Sequence, residues 1–220
     1  MATEGNLEAP TNGTCSPGKV AIFATCYVNY NEPGIGHDLI KTLEHNEIPY
    51  VIVEKESCCG MPKLELGDLD GVAKHKEANI PVLAKYAKDG FAILSAIPSC
   101  TLMFKPELPL LFPDDADVVR VHKAMFDPFE YLMARHKDGL LKTDFKQALG
   151  KVSYHIPCHG RVQKIGKPVF KAMSKDEPDY ISSDCALAGH HIAQGMAQSA
   201  LPAARLAHPL SLVRIAYGLE

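Results

Sequence analysis

The chain has no tryptophan, no apolar run approaching membrane-spanning length, and almost no excess of charge. The missing tryptophan excludes nothing. The missing run excludes a transmembrane helix, which needs about 20 consecutive apolar residues, and so excludes direct membrane insertion. With 23 Lys and Arg against 26 Asp and Glu, the formal charge of -3 provides neither a basic footprint for nucleic acid nor a polybasic patch for an anionic membrane surface. Residues 1–18 are polar, rich in Gly, Pro, Thr and Asn, and lack the hydrophobic stretch of a signal peptide. They read as a flexible lead-in that holds the uninvolved Cys15. Seven cysteines, an odd number without an export signal, argue against a disulfide framework and for a reducing, cytoplasmic setting. At 220 residues, 46% apolar and 22% charged, the composition is that of a soluble globule of one large or two small domains.

Short apolar runs alternate with longer helical patterns. Strands are expected at Lys19–Thr25, Tyr50–Glu54 and Phe91–Ala96, each bounded by turn signals. Asn29–Gly36 reads as a loop and His37–Asn46 as a helix. Leu69–Lys88 carries Leu69, Val72, Ala73, Ile80, Leu83, Ala84 and Ala87 near one helical face. The pattern resumes after residue 150, with strands at Lys151–Ile156 and Asp179–Ser183 and a closing helix from His208 to Leu219. Strand–helix repetition argues for an α/β fold of two Rossmann-like βαβ repeats with parallel strands. The expected divisions are the lead-in 1–18, a first repeat 19–118, a bridging helical region 119–150 and a shortened second repeat 151–220.

The cysteines fall in phase with this pattern. Cys26, Cys100, Cys158 and Cys185 each come shortly after the end of an expected strand, and Cys58-Cys59-Gly60 lies on the loop behind another. In open α/β sheets that edge is where ligands bind. Cys26, Cys58, Cys59 and Cys100 therefore offer four thiols on three loops of one edge. Thiolates are the soft ligands selected by iron–sulfur clusters and by zinc; the bland alternative is a set of buried free thiols. Zinc sites of the Cys₄ kind are common, but their short Cys-x₂₋₄-Cys knuckles are absent from this chain.

In order along the chain, Cys26, Cys58-Cys59-Gly60 and Pro98-Ser99-Cys100, then Tyr154-His155-Ile156-Pro157-Cys158-His159-Gly160-Arg161-Val162-Gln163-Lys164-Ile165-Gly166 and Ser183-Asp184-Cys185-Ala186-Leu187-Ala188-Gly189, resemble the cysteine-rich CCG domain. That family includes the heterodisulfide reductase B subunit, the third subunit of anaerobic glycerol-3-phosphate dehydrogenase, and iron–sulfur subunits of lactate and glycolate oxidation. The resemblance covers about residues 19–219. It implies a 4Fe–4S cluster on Cys26, Cys58, Cys59 and Cys100, and electron transfer within a redox complex whose other members are flavin- or ferredoxin-type proteins. Two departures stand out. Ile97 occupies the place of the family's additional cysteine, three before Cys100. The second repeat is shortened after Gly166, keeping only Cys158 and Cys185, with His159 beside the first.

Cys158, His159 and Cys185, with His190 or His191, are accordingly candidates for a second site with zinc-like nitrogen and sulfur ligands, or simply retained thiols. Cys158 alone is a candidate reactive thiol. The chain lacks the C-x₂-C-x₂-C-x₃-C run of bacterial ferredoxins, so further clusters or a flavin would come from partners. Gly34-Ile35-Gly36 before a helix is a faint phosphate-loop signal, with ordinary turn chemistry as its plainer reading. Arg161 reads as a solvated arginine or a contact for an anion. The leading expectation is an iron–sulfur electron-transfer protein or subunit. The alternatives are a zinc-bound or metal-free interaction module that keeps the fold, and a thiol redox enzyme.

Overall fold

A computed structural model describes residues 11–159, 178–198 and 204–220. The chain divides into two compact units, 1–142 and 143–220. Every strand pairing among the described residues is parallel, as the strand–helix alternation requires.

The first unit holds a four-stranded sheet in the order β2-β1-β3-β4, with β1 Val20–Ile22, β2 Tyr50–Ile52, β3 Ala92–Leu94 and β4 Met125–Phe126. β1 and β3 are buried along their whole length, which is why they read as continuous apolar runs without alternation. Ile22 lies level with Ile52 and with Leu94, so the chain leaves all three strands at the same height. The helix α4, Leu69–Lys88, packs Val72, Ile80, Leu83 and Ala84 into the core, and Asp68 caps it by accepting from the Gly71 N–H at 2.9 Å. The core continues through Phe23 and Phe104, whose rings meet edge-on with centroids 5.0 Å apart.

The segment read as the loop Asn29–Gly36 is mostly helical. The short helix α1, Thr25–Tyr30, follows β1, and α2, Pro33–His45, starts four residues before the expected His37. Pro33 at the first helical position sets the start, since its missing N–H is one that the helix leaves unpaired anyway. Gly36 is a spacing residue and not a turn residue: a Cβ there would lie 2.8 Å from Val28 Cγ1. Behind Cys58-Cys59-Gly60 runs a further short helix, α3, Met61–Glu65. Past β3, the chain winds without a break through α5, Pro98–Leu102, a π-helical turn, Met103–Glu107, and α6, Leu108–Leu111. Pro106 lacks an N–H for the α-helical ladder, and the wider turn falls where that bond is missing. Within the stretch read as bridging, α7, Ala116–Ala124, and α8, Pro128–Lys137, flank β4, which pairs with β3 in the first sheet.

Residues 11–18 are held against the α8 region. Ser16 Oγ and the Cys15 N–H donate to the Asp138 carboxylate at 2.6 and 3.0 Å, Tyr131 donates to the Pro17 carbonyl at 2.7 Å, and Arg135 donates to the Thr11 carbonyl at 2.6 Å. Polar clamps of this kind leave no hydrophobic periodicity, so the segment resembled a loose lead-in. Residues 1–10 lie outside the described residues.

The second unit holds a three-stranded sheet in the order β5-β6-β7, with β5 Val152–His155, β6 Tyr180–Ser183 and β7 Arg205–Leu206. Two helices complete its described part: α9, Ala186–Gln198, and α10, Pro209–Tyr217. His208 caps α10 through Nδ1, which accepts from the Leu210 N–H at 3.2 Å; its Nε2 therefore carries the proton and donates to the Asp184 carbonyl at 3.2 Å. Gly218, at φ 72°, ends the helix in the left-handed conformation.

Asp184 lies just past β6, almost fully buried, with Oδ2 accepting from the Tyr154 hydroxyl and Oδ1 without a hydrogen-bond partner among the described residues. Burial pushes its carboxyl up to about 6, against the smaller downward pull of Tyr154. A carboxyl with a raised native pKa binds its proton more tightly folded than unfolded. Stability is therefore lost as pH rises from about 4 to about 6, and stays lost above. A displacement of about two pH units is worth about 3 kcal/mol. Asp184→Asn should accordingly stabilise the chain at pH 7 by up to about 3 kcal/mol, with the gain shrinking towards pH 5. Denaturant unfolding at the two pH values measures this.

Candidate metal centre

The four thiols of the first unit meet at the C-terminal edge of its sheet. Two backbone devices aim them. Thr25, fully buried, adopts φ 74°, a conformation that a β-branched residue rarely takes, and its Oγ1 accepts from the Val28 N–H at 3.2 Å. This turn ends the extended run of β1 and places Cys26 on α1 instead of on a loop. Gly60 adopts φ 93°, immediately after the cysteine doublet and at the cap of α3. A Cβ at Gly60 would also stand 3.3 Å from His75 Cβ, so the positive φ favours glycine and the space beside it is tight for anything larger.

The resulting contacts run in a row: Cys26 with Cys58, Cys58 with Cys59, and Cys59 with Cys100. Cys59 and Cys100 are each 4% exposed and belong to the hydrophobic core; Cys58 is half-buried and Cys26 exposed. Crowding and burial hold Cys26, Cys58 and Cys59 protonated. Cys58 is pushed far up, first by its contact with Cys59 and then by burial. Cys59 is pushed up chiefly by Cys100 and by burial, and Cys26 by burial and by Cys58. Backbone N–H groups work the other way: those of Gly60 and Met61, at the start of α3, favour the thiolates of Cys58 and Cys59, and those of Cys26 and Tyr27 favour Cys26. The set thus offers soft sulfur donors, with amide dipoles that favour their anions. Soft sulfur donors of this kind are the ligands that iron–sulfur groups select, and in that chemistry the residues fit such a group. Among the described residues, no three His, Cys, Asp or Glu side chains form a group that a lone metal ion could share.

Three side chains that the sequence reading did not single out hold these loops. Asn79 of α4, 2% exposed, accepts from the Ser57 N–H at 2.8 Å and donates to the Cys58 carbonyl at 3.0 Å. His75, one turn earlier, meets Ser57 Oγ through Nδ1 at 3.1 Å. Glu56 accepts from the Ala24 N–H at 2.8 Å and from Asn29 Nδ2 at 2.7 Å, with burial pushing its carboxyl up. The one signal in the sequence was Asn79 itself, a polar residue in line with Val72, Ile80 and Leu83 on an apolar face. At the same edge a cavity of about 310 Å³ opens between α1 and α2, lined by Ile22, Val28, Leu39, Ile52 and Ala96 with Asn29 and His37.

In the second unit, Cys158 stands three residues past β5, exposed and helical, with His159 half-buried next to it. Cys185 follows β6, half-buried, and its N–H donates to Ser183 Oγ at 3.3 Å. His190 and His191 lie on α9. Gly160–Gly166, with Arg161 and Gln163, lie outside the described residues, as does the shortened stretch after them.

A parallel α/β unit that gathers four cysteines at its strand ends is a cysteine-rich α/β domain. Residues 20–105 match the profile of the CCG cysteine-rich domain family. The chain is 31% identical over 150 residues to a subunit of the anaerobic glycerol-3-phosphate dehydrogenase of Escherichia coli K12, covering 67% of this chain and 36% of that protein. It is 26% identical over 181 residues to an uncharacterized iron-sulfur protein of Methanocaldococcus jannaschii (80% of this chain, 34% of that one). It is 27% identical over 145 residues to a subunit of the fumarate reductase (CoM/CoB) of Methanothermobacter marburgensis (66% and 26%). The chain thus spans only about a quarter to about a third of these relatives' length. Among the described residues no helix is long and apolar enough to cross a membrane.

Two glycines with positive φ separate the contributions at the doublet. Gly67, at φ 73°, has nothing within 4 Å of its would-be Cβ among the described residues, whereas Gly60 has His75. Gly67→Ala should destabilise by about 1 kcal/mol through backbone strain alone, and Gly60→Ala by more, through strain plus displacement of His75. Urea unfolding of the two variants against the parent measures the difference.

Proposed function

We propose that the chain is an iron–sulfur electron-transfer protein, or a subunit of a redox complex, in which Cys26, Cys58, Cys59 and Cys100 hold a 4Fe–4S cluster. The observation that carries this reading is the unbroken row of thiol contacts at the C-terminal edge of a parallel sheet. A row suits a multi-iron group, whose ligands are spread over several metal atoms, better than a lone tetrahedral ion. The relatives named above, one an iron-sulfur protein and others subunits of redox enzymes, support the same reading.

The cluster, when bound, supplies one-electron chemistry. The chain's own residues set its conditions. Cys59 and Cys100 sit in the core and keep water from that end, while the Gly60 and Met61 N–H groups stabilise negative sulfur and so favour the reduced state. Cys26 is exposed, which makes its side of the site the face for electron exchange. The partners in this reading are redox proteins of flavin or ferredoxin type, and the setting is cytoplasmic.

Protein purified without oxygen should be brown and carry about four irons and matching acid-labile sulfide per chain. A colourless protein with about one zinc would instead establish the interaction-module reading, and metal-free protein after cluster reconstitution would sink both metal readings.

Cys59→Ser should abolish iron binding, because a hydroxyl is a poor replacement for a core thiolate, whereas Cys185→Ser should leave most iron in place. Equal loss in the two variants, read by iron analysis, would overturn this assignment of ligands.

A further inference from the structure

Asn79 stands where an apolar residue is the ordinary occupant. It is 2% exposed in the interior of α4, in line with Val72, Ile80 and Leu83, and asparagine is a poor residue for a helix interior. Both ends of its amide are used on one short stretch of chain: Oδ1 accepts from the Ser57 N–H at 2.8 Å and Nδ2 donates to the Cys58 carbonyl at 3.0 Å. The stretch before the cysteine doublet belongs to no strand, so a side chain provides the pairing that a neighbouring strand would otherwise give. His75, four residues earlier and hence on the same face, adds its contact to Ser57 Oγ at 3.1 Å.

Glu56 holds the same stretch from the other side. Its two carboxylate oxygens divide their work between the Ala24 N–H, at 2.8 Å, and Asn29 Nδ2, at 2.7 Å. Ala24 immediately precedes α1 and Asn29 lies within it, so this one side chain fastens the helix that bears Cys26 to the loop that bears Cys58. The fastening spans the buried Thr25, whose φ of 74° is a conformation that persists only where its surroundings impose it.

We infer that Asn79 and Glu56 are the positioning residues of the thiol row: Asn79 fixes Cys58 against α4, and Glu56 fixes Cys26 against Cys58. The inference rests on the iron–sulfur reading for its consequence in the loaded protein, but its geometric content holds for the metal-free chain too. Neither residue touches the reacting atoms. Each acts through the backbone that carries a cysteine, as outer-shell partners of metal ligands do.

Four variants test it: Asn79→Leu, Asn79→Asp, Glu56→Ala and Glu56→Gln. In metal-free protein at one fixed pH, alkylation of Cys58, followed by mass spectrometry, should be about 10-fold faster in Asn79→Leu and Glu56→Ala, since each removes two hydrogen bonds that keep the loop closed. Labelling of Cys185, in the other unit, should not change. After cluster reconstitution the same two variants should lose iron affinity by about 10-fold or more, and the iron they retain should give an altered electron paramagnetic resonance line shape.

Glu56→Gln keeps an acceptor for the Ala24 N–H and should recover most of the iron. Asn79→Asp keeps the acceptor for the Ser57 N–H but faces the Cys58 carbonyl with an oxygen, and should fall between parent and Asn79→Leu. Should Asn79→Leu fail to fold, Asn79→Asp and the Glu56 pair carry the test. Folded variants with parental Cys58 labelling and parental iron would overturn the inference. A parent chain that takes up no iron, yet shows the predicted labelling changes, would instead overturn the iron–sulfur reading and leave the positioning roles standing.

Discussion

Four thiols set in a row, each against the next, are an unfavourable thing for a protein to build, and the first unit is arranged around building them. Burial and neighbouring sulfur hold Cys26, Cys58 and Cys59 protonated on balance, two of the four are sunk in apolar surroundings, and amide dipoles pull towards the anions of the first three. What makes the gathering possible is the level register of three parallel strands. Because Ile22, Ile52 and Leu94 lie side by side, the chain emerges three times at one height, and three separate loops can deliver sulfur to one place. An antiparallel meander would send alternate loops to opposite edges, and the same cysteines would be scattered.

Register alone brings the loops together only to within a few residues. The remainder is done by local backbone and by polar side chains. The left-handed turns at Thr25 and Gly60 redirect the chain at the two points where a thiol must be aimed, and both are places where strain or glycine is needed. The amide of Asn79 and the carboxylate of Glu56 then take the part that strand pairing plays elsewhere. Core packing, loop direction and side-chain clamps form a hierarchy in which each level narrows what the one above leaves free.

That hierarchy also marks what could be read in the sequence. The strands β1, β2 and β3 were legible as short continuous apolar runs, and the helix α4 by the helical period of its buried face. The final helix was legible from the apolar residues Leu212, Val213, Ile215 and Ala216 behind His208-Pro209. The segment after Cys26 was misread because Pro33 and two glycines carry turn signals, while its helices owe their existence to the strain at Thr25 and to the close approach that Gly36 permits. Likewise the clamps on residues 11–18, and Asn79 and Glu56 themselves, are single polar contacts between distant positions. Such contacts have no period, and one sequence shows only that a polar residue is present, not what it holds.

The decline in exposure from Cys26 to Cys100 also bears on how the chain ages. Of the four thiols in the row, Cys26 is the one that a peroxide arriving from solvent meets first. In the metal-free chain its product there, a sulfenic acid, has the Cys58 thiol already in contact, and condensation of the two releases water and leaves a disulfide. That product is reversible by ordinary cellular thiols, whereas further oxidation of a solitary cysteine is not. The row therefore carries its own resolving thiol at its vulnerable end, and the buried doublet partner and Cys100 are screened from the irreversible steps.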